Sequence, residues 1–327
     1  MAKRSTIEDE LSTLRALAGE PNRPDLDEKL SASLRSRQNI IAARAAEIAL
    51  QLKRSSLGAE LIGAFDRFLN DPKFTDKGCQ AKTAIAKALY EFGDANAAAV
   101  FLAGVKYIQK EAAYGPPVDV AVELRGICGL GLVRIGHREQ MHHLVDLLAD
   151  PEPQARCFAA RALAYSDRPE AALLVRFKLH TGDREIDVVT ECMNALVRLE
   201  PTRAAEFLGE FLEDSDPEIR SSAALALGET RSAEALELFQ RRFPFERDPD
   251  VRRAILLSAG LLRLPLAIDW LISRVEDAKA EDAATAIEAL ALYRRDPAVA
   301  ERVQNAAGGR KEKEVAQAFA AHFTQRP

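Results

Sequence analysis

RSSAALALGETRSAEALELFQRRFPFERDPDV (220–251) and RRAILLSAGLLRLPLAIDWLISRVEDAKAEDA (252–283) lie end to end, and each opens on an arginine. Arg220 and Arg252 stand one such unit apart, and Arg156 precedes Arg220 by twice that interval. Cutting the chain at the same interval yields further units from Arg156 and Val188. Each unit reads as a helix of about 13 residues, a short turn, a second helix of similar length and a polar turn. The turns DPEP (150–153), DSDP (214–217) and RDPD (247–250) recur at one phase. Their Asp or Ser is placed to cap the coming helix, and Pro falls in the first turn, where no N–H is missed. A period of about 32 residues is the signature of a repeat array, in which each unit buries its apolar face against its neighbours.

Working outward, the period loosens but continues. Residues 124–150, 79–110 and 37–70 read as further units. Gly126, Gly129 and Gly131 share one helix of the first of these. Glycine weakens a helix by about 1 kcal/mol per site, so three imply either close helix–helix approach or a softer repeat. The step from Lys82 to Arg125 exceeds one period by about 11 residues. The excess falls in KEAAYGPPVDVA (110–121), a Gly-Pro-Pro loop beside Tyr107 and Tyr114. That loop reads equally as a rigid apolar lip, presenting Tyr107, Tyr114, Pro116 and Pro117, or as cover for a gap between units. Residues 1–36, with a capping-box spacing from Ser5 to Glu8 and a breaker at PNRPD (21–25), form an N-terminal helical cap or a docking arm. Residues 37–327 form the solenoid, closed by a polar-started helix over 308–323.

The Asp-Pro-Glu-Ile-Arg of 216–220 and Asp-Pro-Asp-Val-Arg of 248–252, each leading into an Ala-rich helix, resemble the HEAT-repeat family in its short bacterial form, which is also similar to phycobilin-lyase-like repeats. The resemblance covers roughly residues 38–324. It implies an all-α, right-handed α-solenoid, a superhelix of about eight stacked antiparallel helix pairs. It also implies a ladder in which the Asp of a turn pairs with the Arg of the next helix, here Asp214–Arg220 and Asp248–Arg252, interrupted at Val188.

Composition narrows the function classes. With 45 basic against 50 acidic residues, net charge −5, 47% hydrophobic and 29% charged, the chain is globular. Seventeen Gly and 15 Pro are too few for many short strands. The charge argues against nucleic acid as a partner, since phosphate binding needs clustered cations. No apolar run is long enough to span a membrane, and the start lacks the apolar core of a signal peptide. The four cysteines form no CxxC, which suits buried thiols in a reducing cytoplasm.

No catalytic constellation emerges, and no cofactor or metal is expected. His142 and Asp146 share a helix face, but no second His-acid pair joins them, and His137, His143, His180 and His322 are scattered. Cys128, Cys157 and Cys192 sit among Ala, Leu and Ile, as packing residues do. Trp270 follows the apolar pattern of its helix. The expectation is a monomeric, non-enzymatic protein–protein interaction scaffold or adaptor; the alternative is an enzyme on the same repeats, phycobilin-lyase-like or DNA alkyl-base glycosylase-like. First helices are expected on the convex side and second helices on the concave, partner-binding side. Aligned second helices put Leu173, Glu206, Glu237 and Asp269 at one equivalent position, with Glu210 a turn later. That acidic row predicts a basic or extended protein partner, unless it is only a solvated face.

Overall fold

The computed structural model describes residues 7–71 and 73–324; Ser5 and the capping box it was expected to open lie outside them. The chain forms an all-α solenoid of stacked helix pairs, interrupted by one β-hairpin, and divides into two compact units, Met1–Ala171 and Ala172–Pro327. In the first unit α1 (Ile7–Ala18) precedes α2 (Leu26–Leu34), α3 (Asn39–Gln51) precedes α4 (Gly58–Asn70), and α5 (Gln80–Phe92) precedes α6 (Ala98–Gly104). The hairpin β1 (Lys110–Ala113) and β2 (Gly115–Asp119) follows, then α7 (Val122–Arg134), α8 (Gln140–Leu148) and α9 (Pro153–Ala164). In the second unit α10 (Glu170–Thr181) leads to the pairs α11 (Ile186–Leu199) with α12 (Ala204–Gly209) and α13 (Pro217–Glu229) with α14 (Ala233–Arg242). The pairs α15 (Pro249–Leu261) with α16 (Pro265–Asp277) and α17 (Ala280–Leu290) with α18 (Pro297–Gly308) come next, and α19 (Lys313–Phe319) ends the stack.

The recurring Asp-Pro turn starts helices as its chemistry requires. The carboxylates of Asp216, Asp248 and Asp296 each accept the N–H two residues on, at 2.9–3.0 Å, with Pro next in sequence. The far ends of the first helices share a second device that the sequence hides. A residue in the left-handed region stops the helix at Lys53, Gly93, Gly136, Asp167, Arg231 and Arg263, of which only two are glycine. At Lys53 and Gly136 the following N–H reaches back five residues, Arg54 to Ala49 and His137 to Leu132, satisfying a carbonyl the helix would otherwise orphan.

Small residues bring the first helices together. A methyl group on Gly260 of α15 would stand 2.8 Å from the Ala289 carbonyl of α17, and one on Gly126 of α7 would overlap the Phe158 ring of α9. The glycines of α7 therefore mark close approach rather than softness. Second helices of successive pairs carry bulkier side chains and touch more sparingly than the first helices do. The Ala- and Gly-rich first helices thus form the more closely spaced layer.

The ladder is corrected as well. Arg220 does not pair with the Asp214 carboxylate, nor Arg252 with that of Asp248, because those carboxylates accept N–H groups of their own turns. Arg220 instead donates to the carbonyls of Asp214 and Ser215 and forms an ion pair with Glu246 of the next turn, Nε–Oε2 2.9 Å. Arg252 likewise takes the Phe243 and Glu246 carbonyls and pairs with Asp282 at 2.5 Å. Each guanidinium thus caps the carbonyl end of one turn while its other edge reaches a carboxylate of the following repeat. The predicted pairing does occur with a shorter side chain: Lys82 Nζ lies 2.9 Å from Asp76, both fully buried.

Candidate interaction surfaces

The first-helix layer of the first unit opens into a groove of about 800 Å³. It crosses four successive first helices: Leu11 and Arg15 of α1, Ile40 to Gln51 of α3, Gln80 to Lys87 of α5, and Val120 and Glu123 at the start of α7. These residues recur every three or four positions on each helix, so each helix turns one face to the groove. Its floor is apolar, with Leu11, Ala43, Leu50, Ala84 and Val120, and Ile40 stands 46% exposed at its edge. Arg44 pairs with Glu47 at 2.8 Å, whereas Arg15 and Lys87 have no ion pair among the described residues.

The segment expected as a loop is the β-hairpin. Pro116 and Pro117 lie in β2, whose outer edge has no further strand to receive an N–H. A two-stranded hairpin is marginal alone, so its base has to be held. Glu111 accepts the Gly78 N–H and the Gln109 amide, both at 2.7 Å, and Gln109 also donates to the Asp76 carbonyl at 2.6 Å. Asp119 accepts the N–H groups of Gln109 and Ala121 and, at 2.6 Å, Arg125, whose other edge grips Asp150 at 2.8 Å. Burial raises the Asp119 pKa, but the Ala121 N–H, Arg125 and the Gln109 N–H outweigh it and hold the carboxyl below its ordinary value.

Beyond this base the hairpin stands in solvent. Tyr114 is fully exposed, Pro116 and Pro117 are exposed, and Ile108 and Val118 are more than half so. Tyr107 behaves otherwise: its ring packs 5.0 Å from Lys82 Nζ and its carbonyl accepts Arg125, so it is a foundation of the hairpin rather than part of its lip. Because Gly78 and Val120 also line the groove, the hairpin rises from one end of it.

In the second unit Glu206, Glu210, Glu237 and Asp269 are all exposed on second helices. Asp269 is taken by Arg302 of α18 at 2.7 Å. Arg302 holds the equivalent position one repeat further on, so the row ends in a cation. Trp270 is half-buried, edge-on to Phe243 at 5.6 Å.

Groups with reaction potential sit elsewhere. Burial pushes the Cys79 thiol up to about 11 and raises that of Cys128 further, so both stay protonated at neutral pH. His142 and Asp146 are exposed on α8, and His143 beside them is buried with both ring nitrogens unpartnered among the described residues. No group of three His, Cys, Asp or Glu among the described residues is placed to hold a metal ion, and no described helix is long and apolar enough to cross a membrane.

The groove residues escaped the sequence reading. Arg15, Arg44 and Lys87 are isolated cations at unequal separations, so the repeat frame does not align them.

Stacked pairs with an Asp-Pro start and a tightly packed layer of first helices define a helical-repeat solenoid. Residues 178–260 and 205–291 match the family model of HEAT repeats, so that stretch of the chain carries such repeats. No curated protein matches in sequence. Among solved structures the chain is similar to an engineered protein, at 17% identity over 99% of this chain and 97% of that one, TM-score 0.48. It is similar to YibA of Escherichia coli at 16% over 89% and 99%, TM-score 0.47. The CpcE–CpcF complex of phycocyanin lyase from a Nostoc species matches at 16% over 82% and 94%, TM-score 0.40.

Proposed function

We propose that the chain is a non-enzymatic interaction scaffold whose working surface is the groove of the first unit together with the hairpin tip, Tyr114, Pro116 and Pro117. HEAT repeats in the chain suit a scaffold or interaction role. The observation that carries the reading is the contrast between the hairpin's base and its tip. Buried charges fix the base, while a tyrosine, two prolines and a valine are held in water, where no folding gain accounts for them. Rigid aromatic and proline side chains lose little entropy on contact, which suits a recognition surface.

The experiment is capture of cross-linked partners in the native cell. Wild type is compared with Ile40→Arg, which fills the groove, with Tyr114→Ser plus Val118→Ser at the tip, and with Glu206→Lys plus Glu237→Lys on the acidic row. The reading expects the first two to lose the dominant partner and the third to keep it. Retention by both groove and tip variants contradicts it.

A further inference from the structure

Resting on the reading of the groove as a partner site, we propose that its occupant is an extended acidic segment carrying a carboxylate at every third residue. Three successive first helices each offer one cation to the groove: Arg15 on α1, Arg44 on α3 and Lys87 on α5. Packed helices stand about 8–10 Å apart. A chain laid across them therefore meets a cation at about that interval. An extended or polyproline-type chain advances about 3.1–3.4 Å per residue, so three residues span one helix. Side chains three apart in the polyproline conformation also share a face. A helical segment, rising about 1.5 Å per residue, matches the same interval only every six or seven residues.

The charges give the segment its polarity. Arg15 and Lys87 lack an ion pair among the described residues and are available to a carboxylate, while Arg44 is shared with Glu47. Glu123 repels acid at the α7 end, so the part of the segment nearest the hairpin is uncharged and meets Val120 and the exposed Val118 and Tyr114. Between carboxylates, small apolar residues fit the floor formed by Ala43, Leu50 and Ala84. Charge and spacing thus select one class of ligand without requiring a deep pocket.

The test uses the full chain and three labelled synthetic peptides of equal composition or length, read by fluorescence anisotropy. One carries Glu at every third position, one has the same residues with the Glu grouped at one end, and one has Lys in place of Glu. The every-third peptide is expected to bind at least about fivefold tighter than the grouped one, more tightly at low salt, with no binding of the Lys peptide. Arg15→Glu plus Lys87→Glu is expected to weaken it about tenfold, and Glu206→Lys plus Glu237→Lys to leave it unchanged, with circular dichroism confirming both folds. Equal affinity for the two Glu peptides, preference for Lys, or an unaffected groove variant overturns the proposal. If no acidic peptide binds while Ile40→Arg still releases the cellular partner, the occupant is wrong and the groove reading stands. If Ile40→Arg also leaves that partner bound, the groove reading itself fails.

Discussion

The junction at residues 76–125 and the regular repeats at 214–282 solve the same problem, joining one helix pair to the next, by different means. In the regular repeats an arginine partly open to solvent spans two turns, as Arg220 does to Glu246 and Arg252 to Asp282. Around the hairpin the cations are buried: Lys82 on Asp76, and Arg125 between Asp119 and Asp150. The regular device tolerates water and repeats at low cost. The buried device fixes one particular geometry, and that geometry holds a hairpin out into solvent. Where the repeat is broken, the structure is more tightly specified and the surface more apolar.

The comparison breaks most readily at the two ion pairs. Asp76→Ala strands a fully buried ammonium and is expected to destabilise the protein by about 3–5 kcal/mol. Asp282→Ala leaves Arg252 partly solvated, with the Phe243 and Glu246 carbonyls still bound, and should cost about 1–2 kcal/mol. Urea denaturation of both variants measures the difference, and equal losses would dissolve the distinction.

Helix spacing comes next in size. Gly260→Ala drives a methyl against the Ala289 carbonyl, backbone that cannot swing aside, and is expected to cost about 1–3 kcal/mol. Gly308→Ala, at a helical site with open space, should stabilise by up to about 1 kcal/mol. Thermal unfolding of the pair tests whether the layer of first helices is as closely packed as its glycines require.

A smaller effect separates the units by pH. Burial first, and then the Lys106 charge, lower the His143 pKa, although Asp146 and Glu139 act the other way. A histidine whose folded pKa is depressed stabilises above its unfolded value near 6.5, and that contribution is lost as pH falls below it. His143→Leu should therefore flatten the decline in stability between pH 7 and 5. The lowered carboxylates Asp119 and Glu246 release their contribution only at more acidic pH, below about 4. An unchanged pH profile in His143→Leu would remove this residue from the account.

Much of the fold was legible. Asp-Pro followed by Arg at a fixed interval names the helix starts and the stacking, because capping chemistry is local. The close spacing of the first helices was legible in small residues such as Ala226, Gly228, Ala259 and Gly260, whose size sets it. The arginines were expected to find the nearest carboxylate. Their length instead lets them cap carbonyls and reach the next turn. Of the candidate site, Tyr114, Pro116 and Pro117 were legible as excess length in one connection. Tyr107 was not separable from them, since its packing on Lys82 depends on a contact with a different helix, distant in sequence. The groove was invisible, because its cations fall in the units where the period drifts.

The smallest expected effect on stability belongs to the exposed tip. Tyr114→Ser should change the unfolding free energy by no more than about 0.5 kcal/mol, since its ring touches water throughout. This makes it the sharpest probe of function, and partner affinity at the hairpin the most direct measurement. Titrating the purified cellular partner into wild type, Tyr114→Ser and Glu206→Lys plus Glu237→Lys, the account predicts a clear loss of affinity in the hairpin variant alone. Unchanged affinity in Tyr114→Ser, with loss in the double charge reversal, would place the working surface on the acidic row and contradict it.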